Sequence, residues 1–469
     1  MKKLFTSVML IASIVIASIN CSATNPKIDN QAKPFTGAKG EIKLMTLDPG
    51  HFHAALVQKN MYDQISPEVY VYAPAGNDLG EHLKKIEAYN TRADKPTAWK
   101  EKVYTGPDFF EKMLSEKPGN VVVLAGNNRI KTDYIKKSIE AGLNVLADKP
   151  MVITPGKFAD LEEAFKIAHA KNVLLYDIMT ERYEITTMLE KELSQRPALF
   201  GKLQKGTPQK PGVEKASVHF FYKAVSGNPL IRPAWFFDIR QQGEGIVDVA
   251  THLVDLVQWG CFPGQIIHKS DIQMLSARRW PTVLTLDEFK EVTKENEYPD
   301  YLKKDIKDGK LMEYANGSMT YKLKGVYVKV TAEWKYKAPE NSGDTHYSVT
   351  RGTLCNLEIH QGKAENYLPT LYIYANKGTD LKKLSSELDK AIVNNPTTTG
   401  LTLEKINATT WKVNIPDRYK VGHEAHFGQV TDMYLNCLKD GKLPAWEEPN
   451  MIAKYYTTTS ALKLAMKKK

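Results

Sequence analysis

Residues 121–150 read VVVLAGNNRIKTDYIKKSIEAGLNVLADKP. Val121-Val122-Val123-Leu124-Ala125 is a continuous apolar, β-branched run, the pattern of a strand buried on both faces of a parallel sheet. Gly126-Asn127-Asn128 turns the chain into a helix from Thr132 to Ala141. Gly142 stops that helix, because glycine takes the left-handed conformation at a helix end without a Cβ penalty. Asn144 to Ala147 is the next strand, and Asp148-Lys149-Pro150 stands at its carboxyl end. Strand, helix and strand of these lengths imply a parallel, doubly wound sheet.

The same grammar extends both ways. Ile42 to Leu47 is a first strand, Asp48-Pro49-Gly50-His51 a turn, Phe52 to Met61 a helix and Val69 to Tyr72 a second strand. Phe158 to Asn172 is a helix, Val173 to Tyr176 a strand and Thr186 to Ser194 a helix. After Gly201 the pattern changes. Ala216 to Tyr222, Met312 to Tyr321, Gly325 to Tyr336, Leu354 to Ile359 and Thr370 to Tyr374 read as strands of a mainly antiparallel sheet, with Asn316-Gly317 a tight turn or bulge. The charged run Asp287 to Lys310 reads as an inserted surface helix, and His426 to Leu438 and Asn450 to Leu464 as closing helices. The fold class is α/β: a Rossmann-like parallel sheet over 41–185, then an α+β domain with a large antiparallel sheet over 186–469.

Composition narrows the function. A chain of 469 residues, 42% hydrophobic and 25% charged, is ordinary for a soluble protein. Its net charge of +10 is scattered, with no basic stripe interleaved with aromatics, so nucleic-acid binding is not expected. Lys2 and Lys3 precede an apolar run, Leu4 to Ile19, in the form of a secretory signal over 1–23, with a linker over 24–40. Two processing readings stay open: lipidation of Cys21, which is then the tie to a membrane, or cleavage after Ala23. Both export the protein to the periplasm or cell envelope. Cys261, Cys355 and Cys437 are too widely spaced for a disulfide framework or a metal site.

Three strand ends carry candidate chemistry, since open parallel sheets bind ligands there. Gly50, His51 and His53 sit where a dinucleotide fold places its phosphate turn, although the G-x-G-x-x-G fingerprint is absent. Asn127 and Asn128 follow the central strand, and Lys149 and Pro150 the next. Opposite them, Gly243 to Trp259 reads GEGIVDVATHLVDLVQW, a nearly apolar helix with Asp248, His252, Asp255 and Trp259 on one stripe. Burying such groups is costly without partners, so the stripe is expected to face a polar cavity. No metal site is expected, because Asp248, His252 and Asp255 on one helix supply too few ligands. Arg232 and Trp235 are placed to line a pocket as substrate-binding residues.

The stretch 121–150, the Arg182-Tyr183 pair and GEGIVDVATHLVDL together resemble the glucose–fructose oxidoreductase and inositol dehydrogenase (Gfo/Idh/MocA) family of NAD(P)-dependent sugar oxidoreductases. Family members typically show Glu-Lys-Pro where this chain has Asp148-Lys149-Pro150. Arg351-Gly352-Thr353-Leu354 is similar to a glycine turn of the family's second domain. The resemblance implies NAD or NADP near Gly50, His51, His53, Asn127, Asn128, Lys149, Pro150 and Arg182, and since a free cofactor would be lost outside the cytoplasm, tight binding is expected. It implies a carbohydrate substrate held by Lys149, Arg232, Trp235, Asp248 and His252. His252 is then the base, with Asp248 orienting it or binding a hydroxyl, and Lys149 bonding the reacting oxygen. A homo-oligomer formed through the second sheet is also implied. Two other functions fit the residues: redox-assisted cleavage of a glycoside, and sugar binding without catalysis.

Overall fold

The computed structural model describes residues 35–225, 228–340 and 342–467. The expected signal segment over 1–23 and Cys21 lie outside the described residues. Six parallel strands form the first sheet: β1 (Leu44–Leu47), β2 (Glu68–Tyr72), β3 (Lys100–Tyr104), β4 (Val121–Leu124), β5 (Asn144–Asp148) and β6 (Leu175–Ile178). Their order is β3-β2-β1-β4-β5-β6, the Rossmann order. All four residues of β4 are buried, each aliphatic side chain there contributing about 1.5–3 kcal/mol. The order reverses between β1 and β4, so the ligand crevice is expected above those two strand ends.

The second sheet has ten strands, all neighbours antiparallel except Val326–Lys337 beside Val213–Tyr222. The helix Val249–Cys261 lies between this sheet and the strand ends of the first, and the closing helix Glu447–Lys467 packs against it. Gly245 locks its approach: a Cβ there would stand 1.7 Å from the Ala315 carbonyl oxygen. Among the described residues no helix is long and apolar enough to cross a membrane.

Three local expectations are corrected. The helix after β1 is a single turn, His53–Leu56, rather than Phe52 to Met61. Asn316-Gly317 is not a tight turn: it lies within the strand Lys310–Leu323, where Gly317 packs against Ile246 and Asn316 flanks the register shift opposite Trp280–Thr282, so the bulge alternative holds and the tight turn is Lys324-Gly325. The run 287–310 holds a short helix, Leu286–Thr293, then a 3-10 segment, Asp300–Asp305. Its helix buries Phe289 and Val292, so those apolar residues join the core rather than a free surface.

Candidate active site

A cavity of about 410 Å³ opens between the carboxyl ends of β1, β5 and β6 and the second sheet. Lys149 enters it directly from the end of β5, and Asp248 stands at the N-terminus of the helix Val249–Cys261. Lys149 Nζ donates to Asp248 Oδ1 at 2.6 Å, and Gln242 Nε2 donates to Asp248 Oδ2 at 3.1 Å. Burial works against the Lys149 ammonium, but Asp248 and Asp148 outweigh it and hold the pKa above the usual value. His252, one turn on, lines the same cavity, and its Nδ1 has no hydrogen-bond partner. Burial and the Lys149 charge push its pKa well below the ordinary imidazole value, so it is neutral. Asp248 is spent on Lys149 and Gln242 and does not orient the imidazole.

Other residues of the proposed set stand elsewhere. Arg182 does not reach the cavity. Its guanidinium grips Asp255 bidentately at 2.7 Å and bonds Glu447 at 2.8 and 3.0 Å. Asp255 thereby leaves the polar stripe; Lys454 also bonds it at 2.9 Å, and Lys454 bonds Asp177 at 2.7 Å. Arg232 lines the cavity but donates to the Phe220 and Phe221 carbonyls and stacks on Phe236 and Trp334. The side-chain amides of Asn127 and Asn128 donate to Gln241 Oε1 and the Gln242 carbonyl.

Trp235 lies over the β1 turn rather than in the cavity. Its indole N–H donates to Asp78 Oδ2 at 2.9 Å, and a Cβ on Gly50 would meet its ring at 3.3 Å. His51 and His53 both turn toward Asp148, at 3.5 and 2.9 Å from Oδ2. Pro150 is buried behind Lys149.

Several cavity residues escaped the sequence. Glu181 follows β6 and lines the cavity, where burial, Glu184 and Asp344 raise its carboxyl to about 7. The end of β6 was a fourth strand end open to the same rule that singled out Lys149. His219, Lys223 and Asp344 form a second polar cluster, with His219 Nδ1 and Lys223 Nζ both against Asp344 Oδ2. His423 arrives from the start of the helix His423–Asp440, and no local spacing announces it.

These residues fit the nicotinamide end of a dinucleotide: a chamber beside the switch point, a fixed ammonium and an unpartnered neutral imidazole. The diphosphate end meets different groups. Asp48 and Asp78 face the β1 turn, both carboxyls raised first by burial, and Asp78 further raises Asp48. The Trp235–Asp78 contact lies against Gly50 at that end.

Residues 189–466 match the family model described as "Putative oxidoreductase C terminal domain", and residues 71–177 match "Oxidoreductase family, NAD-binding Rossmann fold". The second match begins after β1 and its altered turn. A solved structure of a "putative oxidoreductase" from Parabacteroides merdae is 56% identical, covering 93% of this chain and 100% of that one, with a TM-score of 0.91. An oxidoreductase structure from Thermotoga maritima is 12% identical over 91% of this chain and 99% of that one, TM-score 0.58. Levoglucosan dehydrogenase in complex with NADH and levoglucosan is 11% identical over 91% and 98%, TM-score 0.58. The last two share the fold. No curated protein matches. With family models on both halves and a relative more than half identical along its whole length, the chain belongs to the Gfo/Idh/MocA family of oxidoreductases.

Proposed function

We propose that this chain interconverts a hydroxyl and a ketone on a sugar or glycoside, using NAD or NADP retained tightly in an exported protein. The observation that carries the reading is the Lys149–Asp248 pair beside the unpartnered His252 Nδ1 in one cavity. A nicotinamide supplies the hydride acceptor or donor when bound. Lys149, held as an ammonium, donates a hydrogen bond to the reacting oxygen and stabilises charge developing on it. His252 is neutral, so its free Nδ1 takes the hydroxyl proton. Asp248 fixes Lys149 in place. Glu181 lines the same cavity, its carboxyl raised by burial to about 7.

A carbohydrate suits a chamber whose wall mixes charged groups with Phe236 and Trp334. The reading includes pairing of copies through the second sheet, where Tyr347, His360, Tyr372 and Tyr374 make mutual ring contacts on a partly exposed face. It is tested by incubating the protein with a panel of glycosides and seeking keto products by mass spectrometry. Keto-glycoside formation supports it. Binding of sugars with no product at any dinucleotide concentration contradicts it. Net glycoside cleavage without dinucleotide turnover would point to redox-assisted cleavage in the same cavity.

A further inference from the structure

We propose that His51, His53 and Asp148 bind a divalent transition-metal ion on the floor of the cavity. The imidazoles come from one turn, two residues apart, and the carboxylate from the end of β5. One donor atom from each lies within 4.8 Å of the other two. His53 Nδ1 is 2.9 Å and His51 Nδ1 3.5 Å from the same oxygen, Asp148 Oδ2. Donors sharing one ion at about 2.1 Å stand roughly 3.0–3.4 Å apart. These two separations lie close to that spacing, and the shorter is the His53–Asp148 hydrogen bond that an ion would replace.

The electronic state of the donors agrees. His51 Nδ1 accepts a long bond, 3.4 Å, from the His53 backbone N–H. A ring nitrogen that accepts this bond is unprotonated, the state a metal ligand needs. The two nearby cations are otherwise engaged. Lys149 is turned to Asp248, and Lys131 donates to the Asp148 backbone carbonyl at 3.0 Å. His423 stacks on His53 with centroids 4.9 Å apart and walls the outer side.

Two imidazoles and one carboxylate leave coordination positions open toward the cavity. Such open sites act on substrate rather than as structural clamps. The ion would polarise a substrate oxygen beside Lys149. The proposal does not depend on the dinucleotide reading, and each can fail without the other.

The test is equilibrium dialysis of the full chain against Zn²⁺ and Co²⁺, with metal content read by elemental mass spectrometry and Co²⁺ visible bands reporting coordination. One ion per chain is expected, with affinity at least tenfold weaker in His51→Gln and in Asp148→Asn. Should Asp148→Asn fail to fold, His51→Gln decides, because that ring is 25% exposed and its loss leaves the core intact. No stoichiometric uptake by the folded wild type, or unchanged affinity in His51→Gln, overturns the proposal. Dinucleotide binding measured on the same samples keeps the two readings apart.

Discussion

Lys149 and Asp248, 99 residues apart in the chain, meet at 2.6 Å across the junction of the two sheets. One comes from the end of a parallel strand and the other from the start of a helix seated on the second sheet. Their meeting places a fixed positive charge beside an imidazole that burial keeps neutral. Lys149→Gln and His252→Ala are each expected to lower kcat/KM by about 10²–10⁴. Steady-state kinetics on the glycoside identified by the screen checks this. Losses below threefold in both would remove them from the chemistry.

Asp78 and Trp235 close the turn after β1. A diphosphate arriving there meets a carboxylate, so Asp78→Asn is expected to tighten dinucleotide binding roughly tenfold by removing a repulsive charge. The indole should change environment on binding. Tryptophan fluorescence titrated with NAD, compared between wild type and Trp235→Phe, reads both effects. Equal affinity in Asp78→Asn, with a signal unaltered by Trp235→Phe, would place the dinucleotide elsewhere.

Much of this architecture was readable in advance, for definite reasons. Val121 to Pro150 carries its own periodicity, punctuation and strand end, so local signals sufficed. Asp248 and His252 stood out because polar groups interrupt an otherwise apolar helix. Arg182 misled, because a conspicuous charge near a strand end can serve either a ligand or an ion network. Only the tertiary fold brings Asp255 and Glu447 to it. Asn316-Gly317 read as a turn or a bulge; it stands inside a strand beside a register shift, with Ile246 packed where a Gly317 Cβ would stand. His423 had no local signature at all, since its place beside His53 arises from contacts across the whole chain.

The Arg182 network also predicts stability. Arg182→Met leaves the Asp255 and Glu447 carboxylates buried with one cation, Lys454, close to Asp255. A loss of about 3–5 kcal/mol is expected, as for other broken buried pairs. Urea unfolding of the variant against wild type measures it, and a change under 1 kcal/mol would show that the network relaxes freely.

His82 offers a pH test independent of the site. It is buried with both ring nitrogens unpartnered, and burial, aided by Lys85, depresses its pKa to about 4. The native ring stays neutral while the unfolded ring protonates below about 6.5. The unfolded state therefore binds more protons between those values, and the wild type loses stability as pH falls through that window. His82→Leu lacks this loss. Its stability relative to wild type should rise by about 3 kcal/mol from pH 6.5 to pH 4 and stay level above pH 7. A pH-independent difference in urea unfolding would contradict the buried neutral assignment.

The central claim is that this family member works through a retained nicotinamide beside Lys149 and His252. Native mass spectrometry of the protein purified from its own compartment tests it most directly. The account predicts one NAD or NADP per folded chain, with its release on denaturation. A folded chain that carries none, and takes up none when NAD and NADP are supplied at millimolar concentration, would contradict it.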